Sequence, residues 1–178
     1  MTGQRKGDWI QTYTGKQFWP LDPRPEDVDI KDIARSLSMQ CRYNGHCARF
    51  YSVAEHSVLV ARQASPKNRM AALLHDAAEA YLCDLPRPVK HSVSGYAEAE
   101  AAVERAIAER FGVTWPWPDE VKYLDTCILH DEKAQLMANG PAWNLPGEPL
   151  GVRVECWSPE RARAEFMAAF YAYCGVFE

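Results

Sequence analysis

Residues 75–90 read HDAAEAYLCDLPRPVK, and this stretch decides how the fold is interpreted. Apolar residues recur every three or four positions from residue 70 onward, which predicts a helix with one buried face. We expect that face to contain Met70, Leu73, Leu74, Ala77 and Tyr81. Ser65 and Pro66 are typical of the start of such a helix. We expect Pro86 and Pro88 to end it, because proline has no backbone N–H to donate.

Polar residues of this stretch lie beside the apolar face. His75 and Asp76 are adjacent and Glu79 follows one helical turn later, so the three side chains can face one cavity. A further acid follows at Asp84. Acids and an imidazole near a buried face are costly unless an opposite charge compensates them, and a divalent metal ion is a common compensation. The alternative is a solvated acidic face with a partly buried histidine, since short motifs often match by chance.

The composition is that of an ordinary globular protein. Apolar residues make up 47% of the 178 residues and charged residues 25%, and the net charge is −4. Because no basic run is present, we expect no nucleic-acid polymer as a partner. No apolar run reaches membrane-spanning length and the N-terminus lacks the apolar core of a signal peptide, so we expect a cytoplasmic protein without membrane contact. The six cysteines have no CxxC spacing and are expected to be free thiols.

Pattern and length predict one domain over residues 1–178, all-α apart from a small N-terminal β-hairpin. We assign residues 1–24 to the hairpin and a linker, with the turn at Thr14-Gly15. Residues 25–138 are the predicted helical core. Residues 139–178 are predicted to contain a loop, a short strand and a C-terminal helix.

Periodicity and capping residues define the individual elements. We predict helices over about residues 29–39, 53–63, 95–111 and 120–138, and a final helix after Ser158. Ser52 and Glu55 form a capping-box pattern, in which the serine caps the helix and the glutamate reaches back. Ser94 is the predicted cap, and Gly112 the predicted end, of the helix between them. Residues 152–156 alternate between apolar and polar and are predicted to form a strand that pairs with the hairpin.

A set of polar residues lies on the inner faces of three predicted helices without a structural explanation. The set is His56, His75, Asp76 and Asp125. Two imidazoles and two carboxylates suit Mn, Fe, Co, Ni or Zn and not a structural thiolate site. Four protein ligands on a six-coordinate metal leave open positions for water and a substrate oxygen, which is a catalytic arrangement. For His56 alone, a core histidine that faces the same way as Val60 is the alternative.

Residues 41–51 form a predicted loop that is rich in cations and aromatic residues. A guanidinium binds phosphate through two parallel hydrogen bonds, so Arg42 or Arg49 could clamp a phosphate. Surface solvation of both arginines explains the loop equally well, and the loop alone does not separate these two interpretations.

The order of these residues resembles the HD-domain metal-dependent phosphohydrolase superfamily. Residues 75–90 resemble its YfbR-like 5′-nucleotidase branch nearly position by position, and residues 52–57 are similar to the first histidine helix of that branch. The loop that begins at Cys41 and the N-terminal Thr-Gly-Lys turn are similar to a prophage-associated, YfdR-like subgroup. The resemblance spans roughly residues 10–138 and is looser around Asp125.

The resemblance implies an HD-domain helical bundle that hydrolyses deoxyribonucleoside 5′-monophosphates to deoxynucleoside and phosphate. It implies one divalent transition metal ion per chain, with Co, Mn, Zn, Fe and Ni all open. The implied metal ligands are His56, His75, Asp76 and Asp125. Glu79 then positions or deprotonates the attacking water. Asp84 helps to protonate the leaving 5′-oxygen or holds the sugar.

The resemblance also implies the substrate contacts and the assembly. Arg42 holds the phosphate, and Tyr43 packs near the sugar or base at a position where the family usually has a tryptophan. Lys90 is a candidate for a further phosphate contact, and His46 contacts phosphate or orders the loop. The family further implies a homo-oligomer that acts in nucleotide metabolism on a small-molecule deoxynucleotide.

Other functions stay open at this point. A deoxynucleoside triphosphate triphosphohydrolase, of the dATPase kind, would release triphosphate and would need extra cations. Those cations could come from Arg35, Arg49, Arg87, Lys90 and Lys122. A non-catalytic nucleotide-binding sensor would have the same fold, but the intact ligand set and Glu79 argue against it. A helical interaction module would require buried acids and imidazoles to coincide by chance.

Overall fold

Helices dominate residues 5–175, the part of the chain that this computed structural model describes. The helices are α1 (Ile30–Met39), α2 (Val53–Gln63), α3 (Arg69–Leu74), α4 (Glu79–Leu82), α5 (Arg87–Lys90), α6 (Tyr96–Phe111), α7 (Asp119–Leu136) and α8 (Pro159–Cys174). Short 3-10 turns cover Pro25–Asp27, Arg42–Gly45 and Pro66–Asn68. The prediction of a mainly helical chain with a small N-terminal hairpin is confirmed. Residues 1–4 and 176–178, at the ends of the predicted segments, lie outside the described residues.

The hairpin consists of β1 (Ile10–Gln11) and β2 (Gln17–Phe18), which pair antiparallel with Ile10 opposite Phe18. Its turn contains Thr14 as predicted, and the Thr14 N–H donates to the Asp32 carboxylate on α1 at 2.7 Å. At the other end, the Phe18 ring stacks on Tyr81 of α4 with ring centroids 3.8 Å apart. The hairpin is therefore fixed to two helices of the core.

Helix α2 lies at the centre of the core. Nine of its eleven residues, from Val53 to Ala61, are buried, and the helix packs against α1, α3, α7 and α8. His56 lies within this run and has no solvent exposure. A helix that is buried nearly all round presents each polar side chain to another element, so the partners of those side chains decide what α2 does.

The helix predicted through residues 70–82 is interrupted. Its apolar face is buried as predicted, but α3 ends at Leu74 and α4 begins at Glu79. Between them the backbone N–H of Glu79 bonds the carbonyl of Asp76, three residues back, which is the tighter 3-10 pattern. The prediction that Pro86 and Pro88 end the helix is wrong. The helix ends at Cys83, whose φ of +65° takes the chain out of helical geometry, and Pro88 lies inside α5.

Residues 152–156 do not form a strand, because their backbone groups bond to side chains instead of to the hairpin. Gln135 donates to the Val152 carbonyl at 2.8 Å and accepts from the Val154 N–H at 3.0 Å. Glu55 accepts the next three N–H groups, those of residues 155, 156 and 157, at 2.8, 3.0 and 2.7 Å. The strand prediction, which assumed a neighbouring strand, is therefore wrong.

Helix ends follow the capping predictions in part. Ser52 accepts the Glu55 N–H at 3.1 Å and Ser158 accepts the Arg161 N–H at 3.3 Å, as predicted. The prediction that the Glu55 side chain reaches back to the start of its own helix is wrong, since its carboxylate binds the backbone of residues 155–157. The cap predicted at Ser94 is also wrong, because Gly95 precedes α6 and no side chain caps it.

Other expectations concern cysteines and membranes. Each of the six cysteines is a free thiol, as predicted. None of the helices within residues 5–175 combines the length and the apolar character that crossing a bilayer requires.

Replacing Glu55 by alanine tests how far the chain depends on this carboxylate. Glu55→Ala leaves three backbone N–H groups without their acceptor, so we expect a loss of about 3 kcal/mol in the free energy of unfolding. For a chain of this size that lowers the melting temperature by roughly 6–12 °C. Glu98→Ala, which removes an exposed glutamate, is the control and is expected to change stability by less than about 0.5 kcal/mol. Equal melting temperatures for the two variants would contradict the assignment.

Candidate metal centre

Three separate elements bring the predicted metal ligands together. His56 comes from α2, His75 from the turn after α3, and Asp125 from α7. The Nε2 atoms of the two histidines lie 3.3 Å apart. Asp125 Oδ1 lies 3.1 Å from His56 Nε2 and 3.6 Å from His75 Nε2. The three residues form a group whose ligand atoms all lie within 4.8 Å of one another and which could hold a metal ion.

Asp76, the fourth predicted ligand, lies at the edge of this group. Its Oδ1 is 3.3 Å from His75 Nε2 and its Oδ2 is 3.4 Å from His56 Nε2. The same Oδ2 accepts from Arg42 Nη1 at 3.3 Å. Asp76 therefore touches both the histidine pair and the predicted phosphate-binding arginine.

The spacing of these atoms fits a divalent transition metal ion. Nitrogen and oxygen ligands lie about 2.0–2.2 Å from such an ion, so neighbouring ligands in its shell are about 3.0–3.5 Å apart. The separations within the His56, His75 and Asp125 group run from 3.1 to 3.6 Å. An ion at the centre of this group would accept the lone pairs of its ligand atoms, so that metal–ligand bonds would replace the contacts between those atoms.

Hydrogen bonds orient both imidazoles toward the centre. The Nδ1 of His75 lies 2.8 Å from the Ala72 carbonyl, which can only accept, so Nδ1 is assigned as the N–H donor. The Nδ1 of His56 lies 2.7 Å from Glu132 Oε1 and is assigned in the same way. With the proton on Nδ1, each Nε2 presents a lone pair to the group, as metal-binding histidines require.

The charges of the site favour a cation at its centre. Burial alone would lower the pKa of His75, but Asp76 and Asp125 raise it to about 9. Burial would raise the pKa of Asp125, but hydrogen bonds from the two histidines hold it well below its usual range. The raised pKa of His75 favours positive charge among the ligands, and the lowered pKa of Asp125 keeps that carboxylate anionic. A divalent ion supplies that charge.

The two predicted catalytic acids, Glu79 and Asp84, lie close enough to Asp76 for its charge to raise their pKa values. Glu79 is buried, and its Oε2 has no hydrogen-bond partner among the described residues. Burial raises the pKa of Glu79 well above its usual range, and repulsion from Asp76 and Asp84 adds to the effect. Burial also raises the pKa of Asp84. A buried carboxyl group with a free oxygen is available to hold or transfer a proton.

Arg42 and Tyr43 begin the 3-10 turn Arg42–Gly45. Arg42 is buried, its Nη2 lies 3.5 Å from Glu132 Oε2, and its Nε has no partner among the described residues. The Tyr43 hydroxyl donates to Glu132, and its ring lies 5.8 Å from that of Trp143. The structure therefore gives the polar end of Tyr43 a protein partner. The predicted packing of its ring near a sugar or base stays a prediction.

Lys90 and His46 have no contact with the four predicted ligands among residues 5–175. Lys90 forms an ion pair with Glu100 of α6. Burial alone would lower its pKa, but that pair raises it. His46 is exposed at the end of the turn that begins at Arg42. Their predicted phosphate contacts are not tested by these positions.

Sequence reasoning missed Glu132. This residue lies on α7, two helical turns after Asp125, and has no solvent exposure. It contacts His56, Tyr51, Tyr43 and Arg42. A signal for it was present: the residues four positions before and after it, Ile128 and Leu136, are apolar, so the acid interrupts a buried stripe.

A cavity of about 300 Å³ adjoins the metal ligands. Its wall includes His75, Asp76, Asp125, Arg87, Lys122 and Trp117, together with Glu104. The Glu104 carboxylate accepts the indole N–H of Trp115 at 3.1 Å and that of Trp117 at 2.9 Å. The wall therefore combines the indole of Trp117, which Glu104 fixes, with three of the predicted metal ligands, and the cavity volume is at the lower end of the small-molecule range.

No protein-family model matches the chain. YfdR of Escherichia coli K12 is 38% identical over 166 residues, which cover 91% of this chain and 93% of that protein. The chain belongs to the YfdR family. A second relative, from Rhodobacter capsulatus, is 34% identical over 184 residues, covering 92% of this chain and 94% of that protein. Both relatives carry the name uncharacterized protein, so YfdR membership brings no activity with it.

Metal binding by this YfdR-family protein can be measured directly. We expect one Co²⁺ or Mn²⁺ per chain by isothermal titration calorimetry, lost in His75→Ala and in Asp125→Asn because each substitution removes a ligand. His91→Ala, which removes an exposed histidine, is the matched control and should bind like the wild type. Retained stoichiometric binding in both ligand variants would contradict the site.

Proposed function

We propose that this protein is a metal-dependent phosphohydrolase of the HD-domain type, acting as a 5′-nucleotidase on deoxyribonucleoside 5′-monophosphates. One observation carries the proposal. A mixed nitrogen and oxygen ligand group adjoins Asp76, which pairs with the buried guanidinium of Arg42 and repels the buried carboxyl group of Glu79. Metal, acid–base group and anion-binding group are the parts that phosphoester hydrolysis requires.

In the proposed reaction a water oxygen bonds to phosphorus while the bond from phosphorus to the 5′-oxygen breaks. The water gives up a proton and the departing 5′-oxygen gains one, so the products are deoxynucleoside and inorganic phosphate. When bound, the divalent ion activates water and accepts phosphoryl charge. Glu79, whose Oε2 has no hydrogen-bond partner in the described part of the chain, takes the proton from the water. Asp84, whose pKa burial raises, donates to the leaving oxygen or holds the sugar.

Arg42 is proposed to bind the phosphate. A buried guanidinium presents its N–H groups at low dielectric, where they stabilise phosphoryl charge more than they would in water. Its Nε has no partner within residues 5–175, and its two carboxylate contacts, at 3.3 and 3.5 Å, are long for charge-assisted hydrogen bonds. The donors are therefore only partly satisfied by the protein.

The charge of the cavity favours a monophosphate over a triphosphate. Three carboxylates, those of Asp76, Glu104 and Asp125, and two cations, Arg87 and Lys122, line its wall. With one divalent ion the wall carries a single net positive charge, and Arg42, which is not part of this wall, adds one more, which matches a phosphomonoester dianion better than a more highly charged triphosphate. Arg87 and Lys122 are also the observation that keeps a deoxynucleoside triphosphate triphosphohydrolase as the second candidate.

Product analysis on the purified protein separates these functions. With Mn²⁺, Co²⁺ or Zn²⁺ added, we expect free phosphate from dAMP, dGMP, dCMP or dTMP, and the relative rates give the base preference. Asp76→Ala, which removes a ligand and the Arg42 partner, should abolish the activity. Exposed His91→Ala should retain it.

The other outcomes point elsewhere. Tripolyphosphate released from the triphosphates, with monophosphates untouched, would establish the second candidate. No product from either set, with metal demonstrably bound, would favour a nucleotide-binding sensor.

Substitution of Glu79 tests the proton-transfer role. Glu79→Gln keeps the shape of a side chain that makes no metal contact in the group but cannot accept a proton. We expect kcat to fall by about 10²–10⁴-fold with metal stoichiometry unchanged. A kcat within a factor of about two of the wild type, at full metal occupancy, would show that Glu79 is not the base.

Substitution of Arg42 tests the phosphate contact. Arg42→Lys keeps the charge but loses the two parallel donors that a phosphate accepts. We expect KM to rise with little change in metal affinity. A rise in the dissociation constant for Co²⁺ with KM unchanged would instead assign Arg42 to the metal centre alone.

A further inference from the structure

The buried carboxylate of Glu132 contacts both a predicted metal ligand and the turn that carries Arg42. It has no solvent exposure and comes from α7, the helix that also supplies Asp125. One of its oxygens contacts a metal ligand, and the other contacts the turn that carries the predicted phosphate-binding arginine. Each half can be considered separately.

The Oε1 oxygen of Glu132 fixes the imidazole of His56. Oε1 accepts from His56 Nδ1 at 2.7 Å and from the Tyr51 hydroxyl at 2.8 Å. A carboxylate has no proton to give, so it selects the form of His56 with the proton on Nδ1 and the lone pair on Nε2. The Tyr51 hydroxyl holds Oε1 itself in place. A carboxylate behind a metal-binding histidine also makes the imidazole a stronger ligand.

The Oε2 oxygen of Glu132 fixes the turn that begins at Arg42. Oε2 accepts from the Tyr43 hydroxyl and lies 3.5 Å from Arg42 Nη2. Tyr43 and Asn44 both have left-handed backbone conformations, with φ of +58° and +52°. Such a conformation costs about 1–2 kcal/mol for Tyr43, whereas asparagine adopts it more readily, so at Tyr43 it persists only where the surrounding structure holds it. The bond from Tyr43 to Glu132 is such a contact.

We propose that Glu132 is a positioning residue that aims His56 Nε2 at the metal and at the same time holds the Arg42 turn beside it. A single rigid carboxylate thereby sets the distance between the metal ion and the phosphate-binding group. The inference rests on the metal centre of the proposed function, and it does not depend on which phosphoester is the substrate. A purely structural acid that only balanced Arg42 would have no need to orient a ligand through its other oxygen.

The direct test is Co²⁺ affinity in Glu132→Gln, followed by the visible absorption of bound Co²⁺. The amide can turn its NH₂ group toward His56 and select the form with the proton on Nε2, which cannot bind metal. We expect Co²⁺ to bind about 10- to 100-fold more weakly, with an altered absorption spectrum. The control is Glu98→Gln, which makes the same chemical change at an exposed glutamate and should leave Co²⁺ affinity and spectrum unchanged.

A second variant separates the two oxygens. Tyr43→Phe removes the donor to Oε2 and leaves the His56 contact with Oε1 intact. We expect Co²⁺ affinity close to the wild type, but weaker binding of inorganic phosphate to the Co²⁺-loaded protein. Unchanged phosphate binding would overturn the half of the proposal that concerns the turn.

A measurement on the wild type covers the case in which Glu132→Gln does not fold. Long-range ¹H–¹⁵N correlation of the Zn²⁺-loaded protein reports which nitrogen of His56 carries the proton. We expect a proton on Nδ1 and a metal-bound Nε2. A proton on Nε2, or wild-type Co²⁺ affinity and spectrum in a folded Glu132→Gln protein, would overturn the positioning role.

These readouts are separate from the test of the proposed function. Co²⁺ affinity, the Co²⁺ spectrum and the histidine proton are all measured without substrate. Weaker Co²⁺ binding in Glu132→Gln by a protein that hydrolyses no phosphomonoester would support the positioning role and reject the nucleotidase. Hydrolysis of phosphomonoesters by Glu132→Gln at the wild-type rate, with wild-type metal affinity, would support the nucleotidase and reject the positioning role.

Discussion

Negative charge concentrated at one buried point is the constraint on which the rest of this structure depends. The acids concerned are Asp76, Glu79, Asp84, Asp125 and Glu132, and two imidazoles lie among them. Arg42 contacts Asp76 and Glu132, but one guanidinium does not balance this set. Unbalanced carboxylates at low dielectric cost several kcal/mol each. Asp76 and Asp125 raise the pKa of His75 to about 9, which indicates that these acids favour positive charge beside them, and the ligand geometry fits a divalent ion that would supply it.

The fold concentrates these groups because α2 is buried nearly all round. Two neighbouring polar residues on this helix, Glu55 and His56, have no solvent exposure, and each is paired with a distant part of the chain. Glu55 holds the backbone of residues 155–157 and so ties the C-terminal segment to the centre. His56 meets Glu132 from α7. The same helix thus organises both the packing of the last third of the chain and the candidate site.

The sequence predicts which residues form the candidate site better than it predicts the contacts among them. His56, His75 and Asp125 could be found because a polar residue on an apolar helix face stands out against a 3.6-residue period. Glu132 interrupts an apolar stripe in the same way, but its role depends on contacts with residues 76 to 89 positions away, which periodicity does not reveal. For residues 152–156 the error is the opposite one, because a local pattern predicted a strand that does not form. Their alternation correctly indicates that Val154 is buried, yet the hydrogen-bond partners are side chains, and no local pattern distinguishes those from a neighbouring strand.

The 3-10 turn at residues 75–78 has a consequence for how Arg42 would work under the proposed function. The turn places Asp76 between the two histidines and the guanidinium, with 3.3 Å from Asp76 Oδ1 to His75 Nε2 and 3.3 Å from Oδ2 to Arg42 Nη1. An ion bound by Asp76 would draw negative charge away from Arg42, and the remaining partner, Glu132, lies at 3.5 Å. The guanidinium would then have donors free for a phosphate only once the metal is in place. Because Glu132 also contacts His56, the candidate metal ligands and the predicted phosphate-binding arginine depend on the same small set of side chains, and under the proposed function the ion would have to bind before the substrate.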